Sequence, residues 1–233
     1  MNKFFHWLVP LAILASMGAG RVDAGAGDAV ALSLKVSGDV HHKKGGKDPA
    51  LALKVGCKLD DNDNVRTGSK AFATLVFTDD KSLLKLTELT EITIAGKRDA
   101  QGAITKQISM EIGNLYAKIE QQRGTLQIAT PTSVASVKGT AFWIVVLADG
   151  TTHIVTIEGL VELRSKLSGQ IVEVRPGQVG ESLPDGSVGS REAQPGDTPE
   201  DPEPDQGKLQ NINIQLQDRE GRTKDVEIQV KTP

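Results

Sequence analysis

The chain has 233 residues, a net charge of −3, a hydrophobic content of 38% and a single cysteine, Cys57. One cysteine excludes an intramolecular disulfide, and no basic stripe with interleaved aromatic residues points to a nucleic-acid partner. The length suffices for one domain with a packed core and a smaller appendage. We expect Cys57 to be a small buried residue, with an intermolecular disulfide as the alternative.

The N-terminal segment has the pattern of an export signal. Lys3 supplies a positive charge, residues 4–17 are mostly apolar, and Val22-Asp23-Ala24 places compact side chains before a cleavage point. The apolar stretch is about 14 residues long, whereas a spanning helix needs roughly 20. We therefore predict that residues 1–24 are a signal peptide and that the protein is periplasmic or secreted, without a membrane span after cleavage. An uncleaved membrane anchor is the alternative.

Residues 25–183 are predicted to form a domain of many short β-strands. Apolar residues alternate with a period of two in segments such as 71–77 and 104–112, and no stretch of ten or more residues has helical periodicity. From Gly113 to Gly177, glycines recur at intervals of 8 to 15 residues and open short apolar runs. In one such run, Phe142 and Ile144 are expected to face one way, and Trp143 and Val145 the other. The pattern predicts an all-β fold, and spacing alone leaves a sandwich, a barrel and a solenoid open.

The composition changes after residue 183. Five of the ten prolines and seven acidic residues fall between Pro184 and Asp205, so residues 184–208 are predicted to be an extended, disordered linker. Residues 209–233 are predicted to form a β-hairpin around a turn at 218–222. A lone hairpin is marginally stable in water, so it docks either on its own domain or on a partner's sheet. The residues proposed for partner contact are Ile212, Ile214, Leu216, Val226, Ile228 and Val230.

Few residues are candidates for chemistry. The acidic run 60–64 suggests a cation site, but an EF-hand needs glycine at its sixth and glutamate at its twelfth position, where this chain has Val65 and Ala71. His41 and His42 are adjacent and would point to opposite faces of a strand. The chain contains no nucleophile elbow, phosphate-binding loop or dinucleotide fingerprint. We predict a protein that is not an enzyme, with no catalytic residue, metal or cofactor.

Several segments occur in the order typical of a known family. They include Val36–Val40, Leu59–Ala71 and Phe77–Leu86, then Thr130–Phe142 as the strongest match, followed by passages around Gly159 and Gly177. On these segments the region 36–179 resembles the FecR domain, a β-rich module of bacterial envelope proteins, which implies a β-helix-like or rolled β architecture. The matching residues, for which scaffold roles are expected, are Thr67, Gly68, Thr130, Pro131, Val137, Lys138, Gly139, Thr140, Phe142, Glu158, Gly159, Val161, Pro176 and Gly177.

The resemblance also implies a function, with one departure. FecR regulators that restrain sigma factors carry a cytoplasmic segment and a membrane helix before this domain, whereas here the domain follows the predicted signal peptide. We therefore expect a non-enzymatic exported module for binding, scaffolding or signalling in the cell envelope, with an envelope protein or glycan as partner. Exposed Tyr116 and Trp143 would favour a glycan- or cell-wall-associated module, and convergent carboxylates such as Glu158 and Glu162 would favour an envelope hydrolase.

Overall fold

The computed structural model describes residues 29–120, 126–201, 209–217 and 223–231, so the predicted signal peptide lies outside the described residues. Apart from one short 3-10 turn at Lys44–Gly46, every regular element in these ranges is a β-strand, which confirms the all-β prediction. In the same ranges no helix has the length and apolar character needed to cross a membrane.

The strands follow one another with short connections. In chain order they are β1 (Ala31–Ser37), β2 (Val40–Lys43), β3 (Leu51–Ala52), β4 (Lys58–Leu59), β5 (Asp63–Thr67), β6 (Phe72–Phe77), β7 (Leu83–Leu86), β8 (Glu91–Arg98), β9 (Ile104–Lys118), β10 (Leu126–Ala129), β11 (Ser133–Val137), β12 (Ala141–Val146), β13 (Thr152–Glu158), β14 (Val161–Ser165), β15 (Ile171–Val174), β16 (Gln178–Ser182), β17 (Val188–Glu192), β18 (Leu209–Gln217) and β19 (Thr223–Lys231).

Strands β1 to β17 form two layers that face each other. The first layer has the order β4-β1-β6-β7-β9-β12-β13-β16-β17, and the second has the order β3-β2-β5-β8-β9-β10-β11-β14-β15. From β10 onward, antiparallel hairpins alternate between the layers, so the chain advances steadily along the molecule. This is a rolled β architecture, as the resemblance implied.

Strand β9 belongs to both layers. Its first half pairs with β8 in the second layer, and its second half pairs with β7 and β12 in the first. The crossing falls at Gly113, whose φ is +108° and where a Cβ would lie 2.3 Å from Oγ1 of Thr90. The sequence pattern treated Gly113 as the residue that opens a new strand. The structure corrects this, because the glycine lies inside one continuous strand and lets it change layers.

A single apolar core fills the space between the layers. It runs from Val30 to Val174 along the chain and takes one face of each central strand. Strand β12 shows the alternation that was predicted, since Phe142 and Ile144 are buried in this core and Trp143 packs on the opposite face of the strand. Burying a large apolar side chain contributes about 1.5–3 kcal/mol, so the core provides most of the stabilisation of the fold.

One lysine is buried on the core side of β9. The ammonium group of Lys106 lies 2.9 Å from Oδ1 of Asp79, contacts the carboxylate of Asp80, and sits 5.0 Å from the centre of the Phe77 ring. The two aspartates occupy the turn between β6 and β7 in the first layer, whereas this half of β9 is in the second. A buried charge needs such partners, and these also connect the two layers.

The C-terminal part differs from the sequence prediction. The sheet continues past residue 183, because β17 pairs with β16 and Arg191 binds the carboxylate of Asp197. The predicted disordered linker at 184–208 is therefore wrong for residues 184–201, since composition does not show which acidic residues have basic partners. Residues 202–208 and the predicted turn at 218–222 lie outside the described residues. Strands β18 and β19 pair antiparallel as a two-stranded sheet.

Replacing Gly113 tests the crossing. We expect Gly113→Ala to lower the free energy of unfolding by roughly 3 kcal/mol or more, because strained backbone and forced overlap each cost about 1–3 kcal/mol. The matched control is Gly169→Ala, at a φ of +73° with no atom within 4 Å of the added Cβ. Backbone strain alone predicts a loss of about 1 kcal/mol there. Chemical denaturation measures both, and equal losses would contradict the role assigned to Gly113.

Candidate functional site

A cleft of about 410 Å³ opens on the outer face of the second layer. Three polar side chains form a row across its floor: His41 on β2 pairs with Arg66 on β5, which pairs with Glu91 on β8. The neighbours of these three residues along their strands, Val40, Val65 and Ile92, are buried in the core, so the three strands of the cleft floor are held by core packing. Its margins are formed by Asp39 and by Leu89.

The Thr67-Gly68 pair forms the base of this cleft. The buried hydroxyl of Thr67 donates to the carbonyl of Thr87 at 2.6 Å and accepts from the amide of Thr90 at 2.9 Å. The amide of Gly68 donates to the carbonyl of Asp39 at 2.7 Å, and a Cβ on Gly68 would lie only 3.1 Å from that oxygen. These contacts hold two walls of the cleft, so Thr67 and Gly68, predicted from the motif to have scaffold roles, also shape the cleft.

Both signs of charge are present in the cleft. Nδ1 of His41 lies 3.3 Å from Oδ1 of Asp39, and the amide of Asn64 donates to Oε1 of Glu91 at 3.1 Å. Beside these groups, Leu89 is 59% exposed and has a φ of +53°. Such a backbone is strained for leucine, and strain of this kind clusters at functional sites. The cleft therefore offers hydrogen-bond donors, acceptors and an apolar contact to a ligand.

The acidic run near the cleft is a locked turn. Asp63 is buried, and its carboxylate accepts from the ammonium of Lys44 at 2.8 Å, from the amide of Gly45 at 2.8 Å and from the amide of Asp60 at 3.0 Å. Within the part of the chain that the structure describes, no three His, Cys, Asp or Glu side chains come together as a metal site would require. The carboxylate closes the turn.

Cys57 lies beside His42, with 3.8 Å between Sγ and Nε2. Burial raises the pKa of the Cys57 thiol, and burial followed by the nearby Lys44 charge lowers the pKa of His42. Both shifts favour the neutral forms, and a neutral thiol is a weak nucleophile and metal ligand. Cys57 is partly buried and packs against the core, in keeping with the small-residue interpretation.

The Thr130-Pro131 segment forms the turn between β10 and β11. The hydroxyl of Thr130 accepts from the amide of Ser133 at 3.1 Å and from the hydroxyl of Thr152 at 2.8 Å, so the turn is bound to the start of β13. Pro131 is exposed and lies against Gly150, where a Cβ would come within 3.2 Å of the proline ring. These residues connect the two layers at one end of the domain.

The remaining motif residues form turns and core. A Cβ on Gly159 would lie 2.6 Å from the carbonyl oxygen of Gly139, so the two turns approach each other closely. The carbonyl of the buried Thr140 accepts from the amide of Ile119 at 2.8 Å, and Gly177 donates to the carbonyl of Thr156 at 3.0 Å. The core contains Val137, Phe142 and Val161, and the surface carries Lys138, Glu158, Pro176 and Gly177.

Tyr116 and Trp143 pack together on the outer face of the first layer. Their ring centres are 5.3 Å apart, and the ammonium of Lys85 lies 5.7 Å from the Tyr116 ring. Burial raises the pKa of Tyr116, and the charges of Glu158 and Asp201 act in the same direction. Trp143 is only 3% exposed, so the aromatic stacking surface on which the glycan hypothesis depended is not accessible in this structure.

Of the two carboxylates considered for hydrolysis, Glu162 is exposed and lies 3.8 Å from Arg164.

The proposed contact residues of the hairpin lie on paired strands. The register aligns Ile212 with Ile228 and Ile214 with Val226, whereas Leu216 pairs with Lys224 and Val230 with Gln210. Their side chains are outside what the structure describes, so partner contact through them stays a prediction.

Two substitutions test the base of the cleft. Thr67→Val keeps the side-chain shape but removes the hydroxyl, and we expect it to cost about 1–3 kcal/mol of stability because the amide of Thr90 loses its acceptor. Thr67→Ser keeps the hydroxyl and should cost less. Thermal unfolding ranks the two variants, and hydrogen exchange at the Thr90 amide should speed up in Thr67→Val alone. Equal protection of that amide in both variants would contradict the assigned hydrogen bond.

Part of the chain is similar to known proteins. Residues 63–162 match the family model described as FecR protein. Two solved structures, each described as a "putative anti-sigma factor" from Parabacteroides distasonis ATCC 8503, share 12% identity over 55% of this chain, with a TM-score of 0.46. The chain spans 59% of the length of those proteins, and a search of curated proteins found no match. The family match begins in β5, contains Thr67-Gly68 and the strongest motif around Gly139, and confirms the predicted resemblance to the FecR domain over residues 63–162.

Proposed function

We propose that this protein is a non-enzymatic, exported binding module with a signalling or scaffolding role in the bacterial cell envelope, and that it binds a protein partner through the cleft. The observation that carries the proposal is the fixed row of His41, Arg66 and Glu91 beside the exposed Leu89. The FecR domain supports the envelope role, because strands β5 and β8 of the cleft floor lie inside the matched span.

The surroundings of the cleft favour a protein as the ligand. Leu51, which follows Ala50 of the cleft wall, is 49% exposed, and Val55 in the next turn is 63% exposed. Protein interfaces combine apolar contacts of this kind with a polar, hydrogen-bonding rim. Small-molecule sites are usually enclosed, with most of the ligand surface buried. The open cleft with mixed charges fits an extended or looped polypeptide better.

The titratable groups near the cleft support the non-enzymatic part of the proposal. The carboxylate of Asp63 has three donors, and Lys43 pairs with Asp48 at 2.9 Å. The pKa of Cys57 is raised and that of His42 is lowered, opposite to what an activated thiolate–imidazolium pair requires. Asp63 and the Lys43–Asp48 pair therefore hold the local structure, and Cys57 and His42 are neutral side chains unsuited to nucleophilic catalysis.

Site-specific photo-crosslinking tests the cleft. A benzoylphenylalanine at Leu89 should capture one protein partner in native cells, and the same residue at Leu167, which is 72% exposed at the other end of the domain, should not. Adding Arg66→Glu to the Leu89 probe should abolish the product, because it reverses a charge in the middle of the cleft floor. An identical product from both positions, or one that persists with Arg66→Glu, would contradict binding at the cleft.

Export is tested separately. We expect intact-mass analysis of protein from the periplasm or culture medium to show a mature chain that begins at Gly25, because the small-residue pattern before it suits a signal peptidase. Replacing Ala24 with a bulky residue, as in Ala24→Trp, should block processing. Recovery of the chain with residues 1–24 in the cytoplasmic fraction of unaltered cells would contradict export.

A further inference from the structure

A segment that follows β17 is anchored at both ends to the outer side of the first layer. We call residues 193–201 the strap. At its start the amide of Ala193 donates to the carbonyl of Gly177 at 2.8 Å. At its centre Nη1 and Nη2 of Arg191 donate to the two carboxylate oxygens of Asp197 at 2.7 and 2.8 Å, and this pair holds the pKa of Asp197 well below its usual range. At its end, the ammonium of Lys85 on β7 donates to Oδ2 of Asp201 at 2.8 Å.

The two anchors lie at opposite ends of one row of side chains. Residues directly paired across the strands between Lys85 and Arg191 are, in order, Tyr116, Trp143, Val155 and Val179. The last three are only 1–4% exposed, although they project from the layer on the side away from the core. Something must cover them, and the strap, which is anchored at both ends of the row, is placed to do so.

The strap can connect the two ends of this row only when its backbone is extended. The row from β7 to β17 includes five strand spacings, or about 24 Å. Four residues from Asp197 to Asp201 span at most about 14 Å, so the long side chains of Lys85 and Arg191 complete the distance. Pro199 lies between the two aspartates and favours an extended backbone that has one N–H fewer to pair.

We propose that this face of the first layer is a binding surface for an extended acidic segment of a partner protein, and that the strap is its intramolecular occupant. The surface recognises two carboxylates four residues apart through Arg191 and Lys85. The Tyr116–Trp143 pair contacts the proline-containing stretch between them, as aromatic grooves do with extended proline-rich peptides. This surface goes beyond the proposed function, because the cleft lies on the outer face of the other layer and can fail or succeed independently.

The contacts of the strap allow a partner segment to replace it. It adds no strand to the layer within the described residues, so its departure leaves the strand ladder intact. Arg191 is 38% exposed, and ion pairs in contact with solvent contribute little net stability. Lys85 projects from the same outer face as Trp143, so release of the strap would separate its ammonium group from Asp201. A partner segment of the same chemistry can therefore replace the strap.

The test uses the full chain with Trp7→Phe, which leaves Trp143 as its one tryptophan. Because aspartates recur at 197, 201 and 205, the released variant is Asp197→Asn/Asp201→Asn/Asp205→Asn. The matched control removes the same charge from the surface with Glu111→Gln/Glu162→Gln/Glu173→Gln. The probe is a fluorescein-labelled peptide of residues 193–206, and its binding is followed by anisotropy. Acrylamide quenching of Trp143 measures uncovering of the face.

The released variant should bind the peptide about tenfold more tightly than the unaltered chain, because an intramolecular occupant reduces the fraction of open sites. Its Trp143 should also be quenched more strongly, and the control should match the unaltered chain in both readouts. Adding Lys85→Gln should remove the gain in affinity, and a peptide with asparagine at the three aspartates should not bind. Asp197→Asn alone frees one end of the strap from Arg191, leaves the surface itself unaltered, and gives the same readouts should the triple variant fail to fold.

Three results would overturn the proposal. The first is unchanged peptide binding in a folded variant whose Trp143 has become accessible. The second is an equal gain in affinity in the control variant, or equal binding of the asparagine peptide. The third is concentration-dependent dimerisation of the released variant in sedimentation experiments, reversed by the peptide, which would make a second copy of this chain the occupant of the face.

Discussion

The rest of the structure depends on the crossing of β9 from one layer to the other. Gly113 adopts the positive φ that the crossing needs, and Thr90 occupies the space that a side chain at position 113 would fill. The Thr90 hydroxyl then accepts from the amide of Asn114 at 3.0 Å and donates to the carbonyl of Asn114 at 3.1 Å. One threonine thus holds both backbone groups of the residue after the crossing. Without this crossing, β9 could pair in only one layer, and the strands before and after it would not share a core.

The same threonine connects the crossing to the cleft. Its amide donates to the hydroxyl of Thr67, which also binds the carbonyl of Thr87 and so holds the turn that presents Leu89. The cleft wall, the turn and the layer crossing therefore form one continuous hydrogen-bonded unit. Binding sites built on rigid elements hold their groups more accurately than sites on free loops. The contacts of the Thr-Gly motif are structural, and they form the base of the cleft for which binding is proposed.

The sequence predicted those features that depend on neighbours along the chain. Alternation identified the strands and placed Phe142 and Trp143 on opposite faces, and the order of motifs predicted the FecR resemblance that the match over residues 63–162 confirms. It failed where distant residues meet. The row of His41, Arg66 and Glu91 needs three strands side by side, and Lys85 and Asp201 are 116 residues apart. Composition predicted disorder for residues 184–201 because it cannot show that Asp197 pairs with Arg191 and Asp201 with Lys85.

Two buried lysines show why burial alone does not define a role. Lys106 lies on the core side of β9, and its partners Asp79 and Asp80 come from a turn between two strands of the opposite layer, so nothing short of separating the layers would expose it. Lys85 is equally buried, but it projects from an outer face, and its partner Asp201 belongs to a segment outside the strand ladder. The charge of Lys106 is therefore part of the fold. The Lys85–Asp201 pair joins the outer face to a segment outside the ladder, which is the arrangement that the proposed exchange requires.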